Sequence, residues 1–150
     1  MRFMTAAVMV TAFAMTASAQ KGDASSQPEL KWGPAPAVFP PGAQMAVLQG
    51  DPSGTGLFTV RLRMPNGYKI APHTHPAYEV DTVISGTIKL GMGETADRSA
   101  AKAVPAGSFF AMPPGTAHFA YFDEETVLQL TTNGPWSIKY INPADDPRNQ

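Results

Sequence analysis

Proline and glycine interrupt this chain too often for it to build long helices. The 150 residues carry 15 Pro and 13 Gly, spread along the length, and each interruption removes a backbone donor or invites a turn. Between the interruptions, hydrophobicity alternates with period two. Phe58, Val60, Leu62 and Met64 alternate with Thr59, Arg61 and Arg63, the pattern of a strand with one face buried. The run 78–84 is rich in β-branched residues, and 87–92 reads as a further strand. Short strands are expected near 108–112, 117–122, 126–132 and 136–141. Turns are expected at 51–56, at Ser85-Gly86 and at Val104-Pro105-Ala106-Gly107, and 93–101 reads as a polar loop. No segment reads as a helix, an internal repeat or a low-complexity tract. Many short strands separated by such turns indicate an all-β fold, a sandwich or a closed barrel.

The length suits one domain, and 43% hydrophobic residues suffice for a core. Residues 1–19 have the form of a signal peptide. Arg2 supplies the charge, 3–17 the short apolar run, and Ala17-Ser18-Ala19 the small-x-small cleavage pattern. Gln20 is then the expected mature N-terminus, with an uncleaved anchor or a buried N-terminal helix as the competing readings. Cleavage implies export, to the periplasm or beyond, and no membrane association afterwards. Residues 20–41 form a Pro-rich linker or arm, since Pro28, Pro34, Pro36, Pro40 and Pro41 disfavour both helix and central strand. Trp32 and Phe39 either pin this arm to the domain or to a partner subunit, or a single aromatic anchors an otherwise flexible leader. The domain proper is expected over 42–143, followed by a polar tail over 144–150. A formal net charge of −1 without a basic stripe argues against nucleic acid or an anionic membrane surface as partner. The absence of cysteine excludes disulfides, thiolate metal sites and cysteine nucleophiles.

The histidines carry the chemistry. His73 and His75 stand two apart, so on a strand both face the same way. Glu79 follows beyond Pro76, and His118, the only other histidine, lies in a second glycine- and proline-marked segment. All the imidazoles can therefore meet at one site. Each alone also fits a hydrogen-bonded core histidine, and the pair alone fits a surface. Together with Glu79 they suit a divalent first-row metal with coordination positions left open. Strand parity puts Asp81 and Val83 on the face of Glu79. Asp81 is a candidate general base, or an acid that orients a histidine. Alternatively a bulge turns it outward, or it pairs with Arg61 or Arg63. Parity also groups Ala120 with His118, while Phe110, Met112 and Phe122 line a cavity or fill the core. Tyr78 and Tyr121 are expected on the opposite sheet surface, and Arg61 and Arg63 in solvent. No G-x-S-x-G elbow, phosphate-cradling glycine loop or H-E-x-x-H is present.

These residues resemble the cupins, a family of small β-barrel proteins. Gly67, His73, His75, Glu79 and Gly86 match the first cupin motif, G-x5-H-x-H-x3-E-x6-G. Gly107, Pro113, Gly115 and His118 match the second, G-x5-P-x-G-x2-H-x3-N, whose last position is Phe122 here. The resemblance covers about 44–141 and implies a double-stranded β-helix, or jelly-roll barrel. It implies His73, His75, Glu79 and His118 as ligands of one divalent metal ion, with Fe, Mn, Co, Ni, Cu and Zn all compatible. Cupins include dioxygenases, isomerases and lyases. Oxygen-dependent oxidation of a small molecule is the first expectation. A metal-dependent lyase or isomerase, or a non-catalytic protein that binds a metal or small molecule, is the alternative. The family also implies a possible homodimer through sheet edges or exchanged N-terminal arms.

Overall fold

The computed structural model describes residues 29–150. The expected signal peptide and the beginning of the arm lie outside the described residues. Among the described residues eleven strands follow one another: β1 (Gly33–Pro34), β2 (Gln44–Gln49), β3 (Leu57–Met64), β4 (Lys69–Thr74), β5 (Glu79–Ser85), β6 (Thr87–Met92), β7 (Lys102–Pro105), β8 (Phe109–Met112), β9 (His118–Phe122), β10 (Thr126–Asn133) and β11 (Lys139–Tyr140). They form two antiparallel sheets, ordered β1-β2-β3-β10-β5-β8 and β11-β4-β9-β6-β7. The sheets face each other as a jelly roll, and the core fills the space between them.

The alternation seen in the sequence accounts for this core. Phe58, Val60, Leu62 and Met64 of β3 are buried, as are Leu128 and Leu130 of β10. Leu62 lies opposite Leu128, and Val60 opposite Leu130, so apolar pairs stack across neighbouring strands. The facing sheet contributes Ile70, Ile88, Ala120, Phe122 and Tyr140. Arg61 and Arg63 take the outer phase: Arg61 Nε donates to Gln129 Oε1 at 3.3 Å, and the Arg63 guanidinium lies 4.1 Å from the Trp32 ring centre. Tyr121 also points outward, under Arg98.

Three segments differ from the sequence expectation. Residues 102–105, half of which read as a turn, form β7. Pro105 is tolerated because it ends an edge strand, where its missing N–H is not needed. The strand expected over 136–141 shrinks to Lys139–Tyr140. The residues before it are held to another loop instead, through Gly134 N–H to Gly56 O at 3.0 Å and Trp136 N–H to Pro52 O at 3.1 Å. The polar tail folds into two tight 3₁₀ turns, with Asn142 and Asp146 side chains accepting from Ala144 and Arg148 backbone N–H.

The described part of the arm lies along the domain. β1 pairs with β2, Phe39 is buried, and two buried tyrosines hold the chain after β1. Tyr68 Oη donates to Pro40 O at 2.6 Å and Tyr140 Oη donates to Val38 O at 2.9 Å. Both aromatics, Trp32 and Phe39, therefore make packing contacts, where a flexible leader would use one.

Candidate metal centre

His73 and His118 sit directly opposite each other on β4 and β9. A one-residue register shift between Ile70 and His73 puts both of these on the inner face although they are three apart. His75 follows just beyond β4. The turn after β8 brings His118 across: Gly115 N–H donates to His75 O at 2.9 Å, and Thr116 N–H to Pro113 O at 3.1 Å. Gly115 has φ +74°, a left-handed conformation that suits glycine. The two motif segments are thus tied together by backbone before any side chain is considered.

All three imidazoles are buried, and one ring nitrogen of each lies within 4.8 Å of the others. Ring centres are 4.3 Å apart for His73 and His118, and 4.9 Å for His73 and His75. Each Nδ1 faces a carbonyl: Ala71 O at 2.7 Å for His73, Ser137 O at 2.9 Å for His75 and Thr116 O at 3.0 Å for His118. A carbonyl only accepts, so each Nδ1 carries a proton and Nε2 is the nitrogen each ring turns to the shared centre. Burial holds His73 well below the ordinary histidine range, with the His118 and His75 charges adding to the effect. Burial also lowers His118, against the opposing pull of its bond to Thr116. Neutral imidazoles are the form that binds metal.

Glu79 heads β5 on the same inner face. Its Oε2 lies 3.1 Å from His75 Nε2 and accepts from Trp136 Nε1 at 3.4 Å. A lone pair and a carboxylate oxygen at 3.1 Å repel unless a proton or a cation neutralises them. Three imidazoles with their rings held by backbone carbonyls fit a divalent first-row metal; the Glu79 carboxylate borders this set at His75 but is not one of the ligand atoms that meet within 4.8 Å.

Asp81 points inward beside them, only 2% exposed. Its cross-strand neighbours are Leu130 and Phe110. Burial first, then the neighbouring Glu79 carboxyl, pushes its carboxyl well above the usual range. The pairing with Arg61 or Arg63 considered from the sequence does not occur, because both arginines lie on the outer face. Phe110, Ala120 and Phe122 line the same cavity as the histidines. Phe122, at the position where the cupin motif carries Asn, packs 6.0 Å from Tyr68 in the core.

Sequence reasoning missed Trp136 and Phe39 as parts of the site. The Trp136 ring stacks on His75 at 5.3 Å and on Phe39 at 5.2 Å, while its N–H reaches Glu79. Neither residue lies in a motif. Their only signal was that large aromatics with a polar tip or none are rarely left idle in polar, proline-rich stretches.

The family described as "Domain of unknown function (DUF4437)" matches residues 23–139. Germin-like protein 1-1 of Oryza sativa subsp. japonica is 37% identical over 65 residues, 43% of this chain and 30% of that protein. The chain thus matches about a third of the length of this curated relative. Among solved structures, an acetylacetone dioxygenase from Acinetobacter johnsonii superposes with a TM-score of 0.61 at 20% identity, over 88% of each chain. An RmlC-like cupin from Shewanella frigidimarina superposes with a TM-score of 0.56 at 19% identity, over 70% of this chain and 84% of its own.

Proposed function

Because the chain belongs to the DUF4437 family, within the cupin superfamily, we propose that it binds one divalent metal ion and oxidises a small molecule with dioxygen. The observation that carries this reading is the set of three buried imidazoles whose Nδ1 protons are all engaged by backbone carbonyls. His73, His75, His118 and Glu79 would hold the ion. Bound there, it would supply Lewis acidity and, if redox-active, electron transfer. The protein's own part is positional. The carbonyls of Ala71, Ser137 and Thr116 hold the rings, Trp136 orients Glu79, and Phe110 and Phe122 keep bulk water from the cavity. The fold similarity to the acetylacetone dioxygenase makes acetylacetone the first substrate to try.

A second reading, an oxygen-independent lyase or isomerase, draws on Asp81, a buried carboxyl in the cavity wall able to exchange a proton with a ligand there. The proposal includes export. Its support is the leader pattern of residues 1–19, and Gln20 as the first residue on N-terminal sequencing of the native protein is the check.

Elemental analysis beside a His73→Ala/His118→Ala variant, followed by oxygen-electrode assays with acetylacetone, tests the function. About one metal per chain, lost in the variant, with metal-dependent oxygen uptake supports the oxidase reading. Metal with turnover but no oxygen uptake favours the second. Metal with neither oxygen uptake nor turnover in a broader substrate screen leaves a binding protein.

A further inference from the structure

Between β1 and β2 the chain leaves the sheet as a loop closed at its neck, where Ala35 N–H donates to Ala43 O at 3.0 Å. Phe39 is buried within this loop, only 4% exposed. Its backbone N–H donates to Pro36 O at 2.9 Å, and Pro36, Pro40 and Pro41 narrow the backbone conformations around it. The carbonyls on either side are each held by a buried phenol, Val38 O by Tyr140 at 2.9 Å and Pro40 O by Tyr68 at 2.6 Å. The two tyrosine hydroxyls thus bracket one side chain.

That side chain reaches the centre of the barrel. A cavity of about 40 Å³ lies beside the three histidines, and Phe39 lines it together with Trp136, Phe110 and Leu90. Its volume admits about three water-sized groups. Among the described residues, Phe39 is the one wall residue supplied by the arm. Its ring stacks on Trp136 at 5.2 Å and 24°, and Trp136 stacks on His75 at 5.3 Å and 20°. The three rings form one pile. Its far end is fixed by the bracketed backbone, its middle by the Trp136 N–H on Glu79, and its near end by the bond between His75 and Ser137 O. Apart from the histidines and the two acids, no lysine, arginine, amide or hydroxyl side chain lines the wall among the described residues. Shape and apolar contact are what this wall offers the body of a ligand.

We propose that Phe39 is a specificity-determining residue: the arm lends the site a fixed ring that limits ligands to those with a small, uncharged, apolar body of about three heavy atoms behind the metal-binding head. The inference rests on the reading of this cavity as a ligand site beside a metal centre. In an apolar pocket one methylene too many or too few is worth about 10–200-fold. Added bulk is resisted where the wall is held on every side, and shortening the ring leaves a space that a longer ligand body can fill.

The test uses the full-length protein loaded with cobalt(II), whose absorption spectrum reports ligand entry independently of activity. Acetohydroxamate and benzohydroxamate share one metal-binding head and differ in the body behind it. Both are titrated into wild type, Phe39→Leu, Phe39→Ala and Val60→Ala. The readout is the ratio of the two dissociation constants, compared between variants, so that the intrinsic difference between the two hydroxamates cancels. In F39L and F39A the ratio is expected to move toward benzohydroxamate by about tenfold or more, with cobalt stoichiometry unchanged. Val60 is buried in the core but does not line the cavity, so V60A is expected to lower stability and leave the ratio as in wild type. If F39A does not fold, F39L carries the comparison. A wild-type ratio in the folded Phe39 variants overturns the inference, and so does an equal shift in V60A, which would assign the effect to general loosening. Failure of wild type to take up cobalt overturns the metal reading and this inference with it. Cobalt uptake with an unchanged ratio, or with neither hydroxamate bound by any of the four proteins, overturns the inference alone.

Discussion

Replacing Trp136 by phenylalanine separates its two roles. Phe retains a ring against His75 and Phe39 but cannot donate to Glu79 Oε2. Metal affinity is expected to fall by roughly tenfold or more, as for lost partners of metal ligands, while stability in urea changes by about 1 kcal/mol. Trp136→Ala also removes the stack, and a loss of about 3–5 kcal/mol is expected. A pH signature belongs to the two tyrosines that hold the arm. Burial, then the Asp146 charge, pushes the Tyr140 hydroxyl up to about 12, and burial raises Tyr68 further. The folded state keeps these phenols protonated while the unfolded state loses the protons near pH ~10. Their contribution is therefore full below that pH and is lost as pH rises through the folded values. Urea titrations at neutral and strongly alkaline pH should show a smaller alkaline loss for Tyr68→Phe/Tyr140→Phe than for wild type, although this variant starts less stable for want of two hydrogen bonds. At this scale the meeting of His73, His75 and His118 was legible, because strand parity and the two glycine- and proline-marked segments bring their rings to one place. Trp136 was not, because its partners come from distant parts of the chain.

Among the elements, β6 and β9 approach each other closely at one point. A Cβ on Gly91 would sit 2.1 Å from the Phe119 ring, which is itself buried on the outer side of the sheet. Gly91→Ala is expected to cost about 1–3 kcal/mol through forced displacement of that ring, read as a lowered urea midpoint with an unchanged slope. The arm is equally testable: Phe39→Ala should destabilise by about 3–5 kcal/mol, an effect absent if the arm were a loose leader. The period-two reading located β3, β5, β6, β9 and β10 because one face of each is buried. It could not place the extra residue in β4 between Ile70 and His73, since a bulge depends on the partner strand β9. It also took the Pro105 segment for a turn, because the rule against proline in strands relaxes at a sheet edge that only topology reveals.

For the whole molecule, the candidate centre joins both sheets, with Glu79 on one and His73 and His118 on the other. A ligand that binds only this assembled site stabilises the fold by mass action, about 2.7 kcal/mol at a hundredfold excess over its dissociation constant. Added zinc or cobalt should raise the melting temperature of metal-free protein, a chelator should reverse the rise, and His118→Ala should abolish it. The all-β class, the inward faces of the main strands and the convergence of the three histidines followed from the sequence alone. Alternation and turn chemistry are local, and histidines at motif spacing state their own parity. The tertiary structure alone decided which carbonyl fixes the His75 ring, that Trp136 serves Glu79, and that Asp81 ends buried in the wall of the cavity. Those facts depend on residues tens of positions apart meeting across a closed barrel, where the number of donors and acceptors becomes definite only once the walls are in place.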